Sequence, residues 1–85
     1  MQIPEEKINS LSENVPVWVG EQIKKFRQSK KMTQTELAHR IWKDRQYLYK
    51  IEKGKVTPNI HTISLIALAL DISLSELLDE IKLDT

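Results

Sequence analysis

The sequence predicts an all-α fold of five short helices, on three observations. Apolar residues recur at helical spacing along most of the chain, and no stretch alternates with the period of two that a half-buried strand needs. Ser/Thr-x-x-Glu capping boxes stand at the starts of two of the periodic stretches. Helix-starting and helix-stopping residues, among them Pro16, Gly54 and Asn59, stand at the breaks between stretches.

Each element has its own justification. Residues 1–14 are polar, with Ile3, Ile8 and Leu11 as the sizeable apolar side chains, so residues 1–15 predict an N-terminal arm or short helix, with "SLSE" at 10–13 a weak capping box. Pro16 suits the first turn of a helix, where its fixed φ helps and its missing N–H costs nothing. Val19, Ile23 and Phe26 then share one face, so helix 1 is placed over about 16–29. "TQTE" at 33–36 is a capping box that opens helix 2, about 34–41. Helix 3 covers about 44–53, with Asp44 near its cap and Gly54 as its stop. Asn59 caps helix 4, which runs to about Leu70 with Ile60, Ile63, Ala67 and Leu70 inward. "SLSE" at 73–76 opens helix 5, carrying Leu74, Leu77, Leu78 and Ile81. Two units follow: the extension 1–15 and a helical domain 16–82.

Eighty-five residues form one small domain with a thin stability margin, which dimerisation would widen. There is no cysteine, hence no disulfide framework and no thiolate zinc site. The longest apolar run, "ISLIALALDI", is too short to span a bilayer, and the acidic opening "MQIPEEKINS" is unlike a signal peptide. A cytoplasmic, nucleoid-associated location is expected. His39 and His61 lack the spacing of metal ligands, so no metal is expected. No glycine-rich phosphate loop occurs, and the carboxylates at 76, 79 and 80 read as a solvated face. Neither an enzyme nor a cofactor is expected.

The net charge of +1 conceals a segregation. Residues 24–55 hold eleven Lys/Arg and three acids, a balance of +8, while residues 1–23 carry −3 and residues 56–85 carry −4. A basic middle between acidic ends points to one face for a polyanion. On a helical wheel of residues 44–53, Leu48 and Ile51 face inward, with Asp44 near them. Gln46, Lys50 and Lys53 lie opposite, flanked by Arg45 and Tyr49. Arg and Gln are the side chains that pair with guanine and adenine edges in the major groove. Tyr47 is intermediate on the wheel, between base contact and core-edge aromatic.

Taken together, "VGEQIKKFR", "TQTELAHRI", "YLYKIEKGKVTPN" and "LIALALDISLSELL", in that order, resemble the lambda-repressor and Cro-type helix-turn-helix family, also called the XRE family. The resemblance covers residues 19–78. "DRQYLYKIEKGK" is also similar, more weakly, to the controller proteins of restriction–modification systems. The resemblance implies a five-helix lambda-repressor-like domain that regulates transcription by binding double-stranded DNA in a sequence-specific way, as a repressor for instance. Helix 3 would enter the major groove and helix 2 would direct its N-terminus at a phosphate.

The resemblance also implies residue roles. Arg45, Gln46 and Lys50 would touch base edges, with Asp44, Tyr47 and Tyr49 at recognition-helix positions beside them. Thr33, Gln34, Lys43, Lys53, Lys55 and Thr57 would lie on the DNA backbone, Gln34 also buttressing helix 3. Arg27 would pair with Glu52, near the protein side of helix 3, where a lone carboxylate is costly. Trp42 and Lys43 stand where the family has Gly and an apolar residue, and Lys31 replaces a turn glycine. Either Trp42 takes a strained φ, or the corner is re-formed with Trp42 in the apolar slot. Leu65 and Leu68, with Ile72 and Ile81, would make a homodimer seam unless Ile3, Ile8 and Leu11 fold back over them. The alternative function is an antitoxin-like or scaffold module that binds a protein partner through that patch.

Overall fold

The structure is a computed structural model and describes residues 1–83. Five helices follow one another: α1 (Glu5–Ser29), α2 (Gln34–Arg40), α3 (Arg45–Glu52), α4 (Ile60–Ala69) and α5 (Leu74–Leu78). Among the described residues there is no strand, and no helix is long and apolar enough to cross a membrane.

The first helix departs most from the sequence expectation. It begins at Glu5, not at Pro16, and runs 25 residues without a break. At 1.5 Å per residue it spans about 37 Å, most of the 42 Å long axis of the molecule. Pro16 is therefore interior, and "SLSE" at 10–13 caps nothing. The ladder lacks the bond that a Pro16 N–H would have given to the Ser12 carbonyl; Ser12 is an exposed residue. Burial of Pro16 and of the neighbouring Val19 favours continuation. Upstream, Ser12 Oγ donates to the Ile8 carbonyl at 2.9 Å and Asn14 Nδ2 to Ser10 Oγ at 3.2 Å.

Local chemistry sets the other starts. Thr33 Oγ1 accepts from the Glu36 N–H at 3.1 Å, and Glu36 Oε1 accepts from the Thr33 N–H at 3.2 Å, completing the capping box. The bond from the Thr33 N–H, followed by the Thr33 side chain, holds the Glu36 carboxyl below the usual carboxylate range. Asp44, Asn59 and Ser73 cap the following three helices through the N–H groups of Tyr47, Thr62 and Glu76.

The ends of α1 to α4 share one device. Residues Lys31, Trp42, Gly54 and Asp71 all have positive φ, at 57°, 60°, 72° and 59°. In each case two bonds close a Schellman motif: Lys31 and Met32 donate to Gln28 and Arg27, and Trp42 and Lys43 to His39 and Ala38. Gly54 and Lys55 donate to Ile51 and Lys50, and Asp71 and Ile72 to Leu68 and Ala67. Only one of the four positions is a glycine. The corner between α2 and α3 is thus kept, and Trp42 takes the strained backbone; it does not fill an apolar slot.

Ile23, Leu37, Leu48, Ile51, Ile66, Leu70 and Leu77 are the fully buried large side chains, with at least one from every helix or its cap. Gly20 lets α1 cross the end of α3: a Cβ there would stand 2.4 Å from the Ile51 carbonyl oxygen. On α4 the inward set is Ile63, Ile66, Ala67 and Leu70. Ile60, expected inside, is 61% exposed. It occupies the first turn, where Cα–Cβ bonds tilt toward the helix start and carry the side chain past the core. The last helix stops at Leu78, and Ile81 packs on the core from beyond it. An exposed ion pair, Lys25 to Glu80, links α1 to the segment after α5.

Candidate nucleic-acid interface

The face of α3 that the sequence armed is exposed. Arg45, Gln46 and Lys50 are all solvent-exposed, while Leu48 and Ile51 are fully buried beneath them. Tyr47 and Tyr49 are half-buried. Tyr47 packs against the core, and Lys43 Nζ sits 5.0 Å from its ring centre. Tyr47 is therefore a core-edge aromatic whose ring also carries a cation. Asp44 is the N-cap of α3, its Oδ1 accepting from the Tyr47 N–H at 2.9 Å.

Tyr49 organises three cations. The Arg45 guanidinium, Lys53 Nζ and Lys55 Nζ lie 6.0, 5.8 and 5.7 Å from its ring centre. Attraction of this kind is worth about 0.5–1 kcal/mol at exposed sites. The spacing of Arg45, Tyr49 and Lys53, four residues apart on one helix, is the sequence signal that foretells two of these contacts. The result is a compact positive surface around one ring on the side of α3 that also exposes Gln46 and Lys50.

A buried network holds this face from behind. Arg27 Nε donates to Glu52 Oε2 at 2.6 Å and Arg27 Nη2 to Glu52 Oε1 at 3.0 Å. The two side chains are 9% and 2% exposed, so the pair is almost fully desolvated. Arg27 Nη1 also donates to the Met32 carbonyl at 2.8 Å, which ties the pair to the α1–α2 turn. The expected pairing of Arg27 with Glu52 is thus present. Gln34 Nε2 donates to Glu52 Oε1 at 3.0 Å, and Gln34 Oε1 accepts from Arg45 Nη1 at 3.1 Å. The buttress expected of Gln34 is real, and it reaches one step further, to Arg45.

The remaining expected positions surround α3. Thr33, Lys43, Lys53, Lys55 and Thr57 are exposed, and Gln34 is half-buried. Thr57 faces a groove lined by Ile8, Leu11 and Val15 of α1. On α4, Leu68 is 77% exposed and Leu65 is 38% exposed, so the N-terminal residues do not cover them. Ile3 and Ile8 are themselves exposed, while Ile72 and Ile81 are half-buried on the core. Two features escaped sequence reasoning. The Trp42 side chain is 95% exposed, and Arg40 Nη1 donates to the Ala69 carbonyl at 3.2 Å, pinning the end of α2 to the end of α4.

Comparison with known proteins agrees with this geometry. A family profile described as helix-turn-helix matches residues 23–77. The chain is 37% identical over 62 residues to the immunity repressor protein of Bacillus phage phi105, covering 73% of this chain and 43% of that protein. It is 37% identical over 59 residues to the ImmF control region 10 kDa protein of the same phage, covering 69% of this chain and 66% of that one. The chain therefore spans less than half the length of the first relative and about two thirds of the second. The crystal structure of the restriction–modification controller protein C.AhdI from Aeromonas hydrophila superimposes with a TM-score of 0.72 at 31% identity, covering 75% of this chain and 97% of that chain. The chain belongs to the XRE-type helix-turn-helix family.

Proposed function

We propose that this protein regulates transcription by binding double-stranded DNA as a homodimer. Each copy inserts α3 into the major groove over one half of an inverted repeat. The observation that carries the reading is the exposed set Arg45, Gln46 and Lys50, standing on a helix whose opposite side is fully buried. A probe held rigidly by its scaffold can discriminate base edges, because a misplaced hydrogen bond is not relaxed away. Arg45, Gln46 and Lys50 read bases, with Tyr49 ordering the cations around them and Asp44 and Tyr47 at the rim. Thr33, Gln34, Lys43, Lys53, Lys55 and Thr57 fix register on the phosphates. The similarity to a phage immunity repressor and to a restriction–modification controller protein favours a regulatory role on DNA.

The proposed seam comprises the exposed Leu65 and Leu68 with the half-buried Ile72 and Ile81. Two α3 helices about 34 Å apart would enter successive major grooves on one side of the duplex. The exposed Leu68 also favours the second reading, a module that docks an unlike protein partner.

Selection of bound duplexes from a random pool tests the proposal. The expected product is an inverted repeat with half-sites about one helical turn apart, bound with an affinity that falls steeply as salt rises. Recovery of no consensus, together with no salt-dependent binding to any duplex, would leave the protein-docking reading in its place.

A further inference from the structure

Trp42 stands where the backbone favours glycine, and its side chain is not buried in the fold to offset that. Its φ is 60° and its side chain is 95% exposed. A bulky residue in this region costs about 1–2 kcal/mol, and an indole left in water recovers none of that by burial. The other two non-glycine residues at such positions, Lys31 and Asp71, carry polar side chains that water solvates well. Trp42 alone combines backbone strain with a large exposed apolar ring. The Schellman motif needs the positive φ but not an indole, and strained residues concentrate at functional surfaces.

We infer that Trp42 is a DNA-contact residue that packs against the sugar–phosphate wall of the major groove beside α3. Its ring faces deoxyribose and its Nε1–H points to a phosphate oxygen. This rests on the reading of α3 as the groove-entering helix. Trp42 lies two residues before Asp44, the N-cap of that helix, so their Cα atoms are at most about 7.6 Å apart. A helix with its side chains is about 10–12 Å across and fills a groove about 12 Å wide. A residue at that distance from the first turn of α3 meets the wall of the groove, and its floor is occupied by α3 itself.

The charge around Trp42 selects the partner. Lys43 follows it, and His39 and Arg40 precede it in the last turn of α2. Arg40 is held there by its bond to the Ala69 carbonyl. Lys43 and Arg40 are thus basic chain neighbours of an exposed ring, a composition that complements a polyanion with apolar sugar faces.

The chain has two tryptophans, Trp18 and Trp42, so an amide spectrum holds two indole N–H signals. The one missing from Trp42→Gly belongs to Trp42. The probe is a duplex recovered by the wild-type chain from a random pool. On titration with it the Trp42 signal should shift. Trp42→Gly should bind that duplex roughly tenfold more weakly and yet melt at a higher temperature. The slope of log affinity against log salt should stay unchanged, because no cation is lost. Trp42→Ala, which drops the ring and keeps the strain, should weaken binding equally without the gain in melting temperature. Unchanged affinity in both variants, or an unmoved Trp42 signal, overturns the inference. So does loss of self-association of the free protein in Trp42→Gly, which would assign the ring to a protein contact. If the wild-type chain selects no duplex, the DNA reading itself fails and this contact fails with it.

Discussion

Gln34 accepts a hydrogen bond from Arg45 at 3.1 Å, and through it the exposed face of α3 is joined to the interior. The same amide donates to Glu52, which is clamped by Arg27. A guanidinium that reads bases in the proposed complex is therefore aimed, in the free protein, by a residue of α2 whose amide is itself held by the buried Arg27–Glu52 pair. An aimed side chain loses less rotamer freedom on binding than a free one.

Gln34→Ala removes that aim. One donor to Glu52 is lost while both Arg27 bonds remain, so stability should fall by about 1 kcal/mol. The larger effect should be on discrimination. The ratio of affinities for the selected duplex and a scrambled one should drop several-fold, measured by competition at fixed salt. An unchanged ratio would show that something other than Gln34 orients Arg45.

The Arg27–Glu52 pair makes a stronger prediction. Removing one member strands the other in a desolvated site, at a cost of roughly 3–5 kcal/mol. For a domain of this size that is a large part of the whole stability. Arg27→Ala should therefore unfold at much lower urea than the wild type. The double change Arg27→Met with Glu52→Leu should lose less than Arg27→Ala, since it leaves no unpaired charge. If the double variant is the weaker of the two, the pair contributes more than the avoidance of a stranded carboxylate.

These two predictions rest on different kinds of legibility. The starts of α2 to α5 could be read directly, because a capping residue and its partner N–H lie within three positions of each other. The Arg27–Glu52 pair spans 25 residues and was legible only through the family resemblance. The start of α1 was misread because Pro16 suits a first turn, and only the packing around Pro16 and Val19 shows that the helix continues through it. Leu74, Leu77, Leu78 and Ile81 keep helical spacing, yet the helix ends at Leu78 while Ile81 still reaches the core. Spacing records which side chains turn inward; it does not record where the hydrogen-bond ladder stops.

The four Schellman ends predict opposite effects of glycine and alanine. Lys31 is exposed with φ 57°, and its side chain fills no space in the core. Lys31→Gly should relieve the strain and raise stability by about 1 kcal/mol. Gly54→Ala should do the reverse and lose more, because φ is 72° and the new Cβ would stand 2.8 Å from Val17 Cγ2. Thermal melts of both variants check the pair of signs. A Lys31→Gly protein no more stable than the wild type would mean that added unfolded-chain freedom cancels the relief.

Leu68 decides the proposed seam. It is 77% exposed on α4, beside the 38% exposed Leu65, and the N-terminal residues leave both uncovered. Leu68→Glu places a charge where two copies would bring apolar surfaces together, and burying an unpaired carboxylate there is prohibitive. The fold itself should be untouched, because the side chain has almost no contact with the core. Sedimentation should then give a dimer for the wild type and a monomer for Leu68→Glu, with equal melting temperatures at low protein concentration. Duplex binding should weaken far more than the loss of one residue explains, since a single half-site forfeits the effective concentration that a linked second copy provides. A Leu68→Glu protein that keeps the wild-type mass would place the seam elsewhere. It would also leave Leu68 free for an unlike partner.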